Sequence, residues 1–222
     1  MDRIIGMDEA RALVGNAALW PRVREFLWNF ARQVHPSWLA NLENLEPLAH
    51  LEQRTNLLHL DSPRVKRFVL ESLEVVPCFH AFPKEDWSRL LLLDGATLES
   101  IAKWLGALAC AESLRRVTDG AAVRGLKSAL LGVYPEVFAY TAYFRGVAAK
   151  EAKGTEDVVA AGMAALSGFL SALKPELLRR FQLKLPKELC GLCDPGGEKT
   201  VSDDALSKLL KLKFPEAYRL CC

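Results

Sequence analysis

The chain has little of what most chemistries require. Its 222 residues include four histidines, His35, His50, His59 and His80, and these lie in separate segments, each near a proline or an expected helix end. HExxH, GxSxG, Walker and GxGxxG patterns are absent, so no metalloprotease, hydrolase, nucleotide or dinucleotide fingerprint is present. His59 and Asp61 are two residues apart, do not face each other on a helix, and have no marked nucleophile beside them. Asp61 or Ser62 capping a helix that begins at Pro63 is the simpler reading. Lysine and arginine number 29 against 27 acidic residues, a net charge of +2 that lacks the basic excess of a general nucleic-acid binder. The longest nearly uncharged run, 158–173, is shorter than the roughly 20 residues that cross a bilayer, and reads as a core helix. The N-terminal MDRIIGMDEARAL carries acids and no apolar signal region, so a cytosolic location is expected. No internal repeat or low-complexity tract occurs, and β-like patterning is confined to LEVVPCF, Leu73 to Phe79, where Pro77 argues against a central strand.

What is present is helical. Half of the residues are hydrophobic, enough to bury a sizeable core. Pro21 suits a first-turn position, and Val23, Phe26, Leu27, Phe30 and Val34 repeat along one helix face until Pro36 stops it. Pro83, with Glu85 and Asp86 behind it, starts a second helix that Asp94-Gly95 ends. Thr97 can cap a long helix with Leu98, Ile101, Leu105 and Leu108 inside, and Glu99–Lys103 and Glu112–Arg116 pairs outside. Asp119 can cap the next helix, which Gly132 closes; Pro135 begins another through Val147. Thr155 opens a small-residue helix through Leu173, and Pro175 opens one through Phe181. Ser202 or Asp203 can cap a short amphipathic helix. The five tryptophans, Trp20, Trp28, Trp38, Trp87 and Trp104, read as core anchors, one or two of them as candidates for an interface. The expected fold is an all-α, irregular multi-helix globular bundle: a helical core over 1–183, with two subregions meeting near 75–95, a linker over 184–201, and a helical tail over 202–222.

Two kinds of residue are candidates for function. Cys78 and Cys110 sit in apolar runs as buried thiols. Cys190 and Cys193 form CGLC, and Cys221 and Cys222 end the chain. Four thiolates could bind zinc, but adjacent cysteines rarely share one tetrahedral ion, and a redox Cys-x-x-Cys normally follows a strand in a βαβ unit, which is not evident. A thiol or metal-binding helical regulator centred on CGLC is therefore the alternative reading. Cations cluster as Arg64, Lys66 and Arg67 in SPRVKRF, and as Arg115, Arg116, Arg124 and Lys127 in SLRRVTDGAAVRGLK. They are either a solvated face complementing helix ends or a docking site for an acidic protein patch, and no aromatic interleaving suggests RNA stacking. The turn at Asp119-Gly120 is not a DNA-reading helix-turn-helix, because the helix after it offers chiefly Arg124 and Lys127 as base-readers.

The segment Leu93 to Tyr140 resembles the K component (SctK, YscK or PscK) of bacterial type III secretion sorting platforms. The resemblance rests on Leu105-Gly106-Ala107-Leu108, Leu114-Arg115-Arg116, Asp119-Gly120, Val123-Arg124-Gly125-Leu126 and Gly132, with Phe214 to Leu220 (FPEAYRL) as a further likeness. The CGLC segment and terminal cysteines depart from that pattern. The resemblance implies a non-enzymatic adaptor without cofactor or metal, at the cytoplasmic face of the inner membrane and not inserted in it. It would join the inner-membrane ring D protein to pods of the Q protein, with the L protein and ATPase as indirect partners, and it implies no nucleic-acid binding.

Overall fold

Proline, glycine and short polar caps punctuate the chain, and helices fill the intervals. The computed structural model describes residues 7–14, 16–40, 63–84, 86–193 and 199–222. Its α-helices are α1 (Met7–Val14), α2 (Trp20–Trp28), α3 (Pro36–Leu39), α4 (Pro63–Ser72), α5 (Gly95–Ala109), α6 (Ala111–Arg115), α7 (Gly120–Ala129), α8 (Val137–Tyr140), α9 (Thr155–Leu170), α10 (Pro175–Lys184), α11 (Lys187–Cys190), α12 (Asp203–Lys213) and α13 (Pro215–Cys221). Phe30–Gln33 and Trp87–Leu92 are 3-10 helices. Among the described residues the one β feature is an isolated antiparallel bridge, Val147 to Val201. The fold is all-α. His50, His59, Asp61 and Ser62, with the caps and pairs drawn from them, lie outside the described residues, as does 194–198 of the expected linker.

The chain divides into two discontinuous units. One comprises Met1–Gly95 with Leu173–Cys190, the other Ala96–Ala172 with Gly191–Cys222.

In the first unit, Val23, Phe26 and Leu27 of α2 and Phe30 of the following 3-10 helix are buried, the face expected from their spacing. Phe26 stacks edge-on against Phe30 and Phe82, centroids 5.7 and 5.6 Å away. Pro36 opens α3 instead of ending a helix: the His35 ring nitrogen Nδ1 accepts from the Ser37 amide at 3.2 Å and supplies the cap. The helix expected from Pro83 starts later, as the 3-10 helix at Trp87, because the Asp86 carboxylate accepts from the Ser88 amide at 2.8 Å. Gly95 begins α5 instead of ending its predecessor, so Thr97 falls inside the first turn. A Cβ on Gly95 would drive into the Lys184 carbonyl, so only glycine allows that approach. Of the five tryptophans Trp104 alone is buried; the other four keep a partly exposed edge.

The second unit is organised by a glycine contact. Gly106, from the LGAL stretch of α5, lies against the Val158 carbonyl of α9, and Gly162 of α9 lies against the Ala102 carbonyl of α5. Two helices meet backbone to backbone there, and Leu98, Ile101 and Leu105 fill the flanks. The long helix expected through Arg116 is broken at Cys110. The Ser113 hydroxyl donates to the Cys110 carbonyl (2.9 Å) and accepts from the Ala152 amide (3.0 Å), which fixes the bend. Glu99–Lys103 forms at 2.7 Å, but Glu112 pairs with Arg115 (3.8 Å), and Arg116 reaches Glu151 (3.8 Å). Asp119 caps α7 through the Ala122 amide (2.7 Å) and Ser202 caps α12 through Ala205 (3.2 Å), as their sequence positions suggest. The helix expected from Pro135 to Val147 is the single turn α8. Beyond it Gly146 takes φ +89°, and its carbonyl and the Ala148 amide pair with Ser202 and Thr200, so the chain is not helical at Val147.

Candidate functional site: the cationic face of the second unit

The seven cations picked out in the sequence divide between the units. Arg64, Lys66 and Arg67 lie on α4 of the first; Arg115, Arg116, Arg124 and Lys127 belong to the second. Two of the first three are engaged: Arg67 pairs with Glu71 at 2.7 Å, one turn away, and Lys66 donates to the Asn29 side-chain oxygen at 3.3 Å. Arg64 is exposed.

On α6, Arg115 works within the fold. Its guanidinium donates to the Thr141 hydroxyl (2.7 Å) and the Phe138 carbonyl (3.4 Å) and lies 5.7 Å from the centroid of the Phe138 ring, which ties α6 to α8. Arg116 points to water beside Glu151. α7 differs, because the stretch Gly120–Ala129 contains no acidic residue. Leu126 turns inward, whereas Arg124, Lys127 and Ser128 form an exposed stripe. Arg124 and Lys127 have no ion-pair partner among the described residues. Directly after the helix, Leu130 is buried and Leu131 is 83% exposed, more than any other large hydrophobic residue among those described.

Ser128 and Leu131 also line a groove of about 410 Å³. Its other walls include Ser100, Lys103 and Trp104 of α5, Gly132, Glu136, and Lys213 with Phe214 at the α12–α13 corner. Lys213 pairs with Glu136 and lies over the Tyr140 and Trp104 rings at 4.3 and 4.7 Å. Lys103 is held by Glu99. The groove's own lysines are thus neutralised, and the uncompensated charge stands beside it on α7.

Cys110 is fully buried, which pushes its thiol up to about 11, and burial also raises Cys78 and Cys190. Cys190 closes α11 in the first unit, while Cys193, Cys221 and Cys222 belong to the second. Among the described residues no three His, Cys, Asp or Glu side chains converge as a metal site. Nor is any described helix long and apolar enough to cross a membrane.

Two cations escaped the sequence reading. Arg180 and Lys184 of α10 are 2% and 1% exposed. Arg180 donates to the Phe26 carbonyl at 2.5 Å and to the Leu27 carbonyl at 3.3 Å. Lys184 donates to the carbonyls of Leu91 (2.5 Å) and Leu93 (2.8 Å). The signal was available: Leu177, Arg180, Phe181 and Lys184 occupy i, i+3, i+4 and i+7, so the apolar stripe of α10 runs through both cations.

Comparison with known proteins decides the family. The model for YOP proteins translocation protein K (YscK) matches residues 24–217. The chain belongs to the YscK family. The match runs through both units and extends well beyond the Leu93–Tyr140 stretch that carried the resemblance. It identifies a component of type III secretion. No curated protein and no solved structure matched.

Proposed function

We propose that this YscK-family chain is a non-enzymatic adaptor of a type III secretion sorting platform, acting at the cytoplasmic face of the inner membrane. In this reading it joins the cytoplasmic domain of the inner-membrane ring D protein to the pods built from the Q protein. The observation that carries the reading is the family match over residues 24–217. The α7 face supports it: unpaired cations and an exposed leucine beside a groove are features a protein partner can cover. The test is co-purification of the full chain with the D cytoplasmic domain and, separately, with the Q protein. Each should be retained. Retention of neither, under conditions where Q still binds the L protein, overturns the reading.

A further inference from the structure

The face of α7 has the composition of half an interface. Arg124 and Lys127 are one turn apart on its exposed stripe, and Ser128 carries that stripe to the groove. Leu131 stands outside the core at the groove's edge while its neighbour Leu130 is buried. Gly132, in the left-handed region at φ +77°, turns the chain directly after Leu131. The helix contains no acid, its cap Asp119 accepts from the Ala122 amide, and Glu99 and Glu136, on the groove side, are already engaged by Lys103 and Lys213. Among the described residues no carboxylate pairs with Arg124 or Lys127, which leaves both for the carboxylates of a partner.

We infer that the exposed stripe of α7, with Leu131 and the groove beside it, docks an acidic segment of a protein partner. That segment places carboxylates against Arg124 and Lys127 and an apolar side chain beside Leu131. This inference rests on the adaptor reading and adds to it where and by what chemistry a partner is held. Charge complementarity selects the occupant. A second copy of this chain would bring a cationic stripe against a cationic stripe, and like charges across an interface oppose association. Nucleic acid would match the charge, but it has no use for the exposed leucine, and two cations neutralise too few phosphates to hold it. The division of labour follows from position. Arg124 and Lys127 act on encounter as rim charges, and Leu131 acts on residence, because apolar contact shielded from water sets dissociation.

The experiment measures binding kinetics of the full chain with the D cytoplasmic domain and with the Q protein as probes, at two salt concentrations. The variants are Arg124→Glu/Lys127→Glu, Leu131→Asp and the charge-matched control Arg22→Glu/Arg24→Glu at exposed positions of α2 in the other unit. The wild-type chain should bind, and for at least one probe the α7 double variant should associate about tenfold more slowly with a flattened salt dependence. Leu131→Asp should dissociate that same complex about tenfold faster. The control should change neither rate more than about twofold, which is the size of a bulk charge effect. Circular dichroism confirms that each variant keeps its helices, as expected for exposed positions. Wild-type binding that all variants retain overturns the α7 assignment and leaves the adaptor reading standing. Equal slowing by the control overturns it as well, since net charge alone would then explain the effect. Wild-type self-association abolished by Leu131→Asp gives the face to a second copy and overturns it. Failure of the wild type to bind either probe removes the adaptor reading and this inference with it.

Discussion

Lys184 ends α10 with its ammonium buried against two carbonyls, those of Leu91 and Leu93, and 4.9 Å from the centroid of the Phe26 ring. Of the charged groups acting on it, Asp94 favours the ammonium and Arg180 opposes it, while burial outweighs both and lowers its pKa to about 7. The unfolded chain returns this lysine to its ordinary value of about 10.4, so between these limits the unfolded state holds the extra proton. Stability contributed at this site therefore rises as pH rises from about 7 toward 10, by at most about 1.4 kcal/mol per pH unit. Lys184→Met removes that increment and strips two carbonyls of their donor, at a cost of about 1–3 kcal/mol for each one left unsatisfied. The advantage of wild type over the variant should widen with pH in urea melts at pH 6.5 and pH 9.5. An advantage that stays constant would mean the ammonium is as well solvated in the fold as in the unfolded chain. The sequence displays the cation on an apolar stripe but not the carbonyls that receive it, because Leu91 and Leu93 are brought there by tertiary packing.

Helix starts were legible where the signal is local. Pro21 and Pro175 in first turns, and Asp119 and Ser202 as caps, act within three or four residues, and each is found where the spacing places it. Breaks were not, since the bend at Cys110 depends on a hydroxyl that bonds to Ala152, far along the chain. LGAL lies between these cases. The sequence shows a glycine in an apolar helix but not its partner, and the structure supplies Gly162. Substituting Gly106 by alanine adds a methyl where the Val158 carbonyl already sits, so α5 and α9 must separate. The expected cost is about 1–3 kcal/mol, against the small gain that alanine otherwise brings to a helix. Gly162→Ala strikes the same crossing, so the double variant should lose less than the two single losses added, once the first methyl has parted the helices. Thermal melts of the three variants test this, and strict additivity would show that the two contacts yield independently.

At the scale of the whole molecule, composition and period disclosed an all-α chain, and adjacent cations disclosed half of the candidate site, Arg124 and Lys127. The groove was not legible, because Trp104, Leu131 and Phe214 reach it from distant segments and no short-range pattern joins them. The C-terminal segment belongs to the second unit and contributes to its interior: Ala205, Leu206, Leu209, Leu210, Ala217 and Cys221 are buried, and Val201 bridges to Val147. Each buried leucine contributes on the order of 2 kcal/mol, so losing three of them with their neighbours removes most of the margin of an ordinary domain. A chain ending at Cys190 should therefore lose amide protection throughout 96–172, including α7 and its exposed cationic stripe, while α2 and α10 keep theirs, because every described contact of Arg180 and Lys184 lies within the first unit. Hydrogen exchange followed by mass spectrometry reads the two regions separately. Full protection of 96–172 in the shortened chain would mean that α12 and α13 are an appendage, and the groove at the α12–α13 corner could then not be held in place by the core.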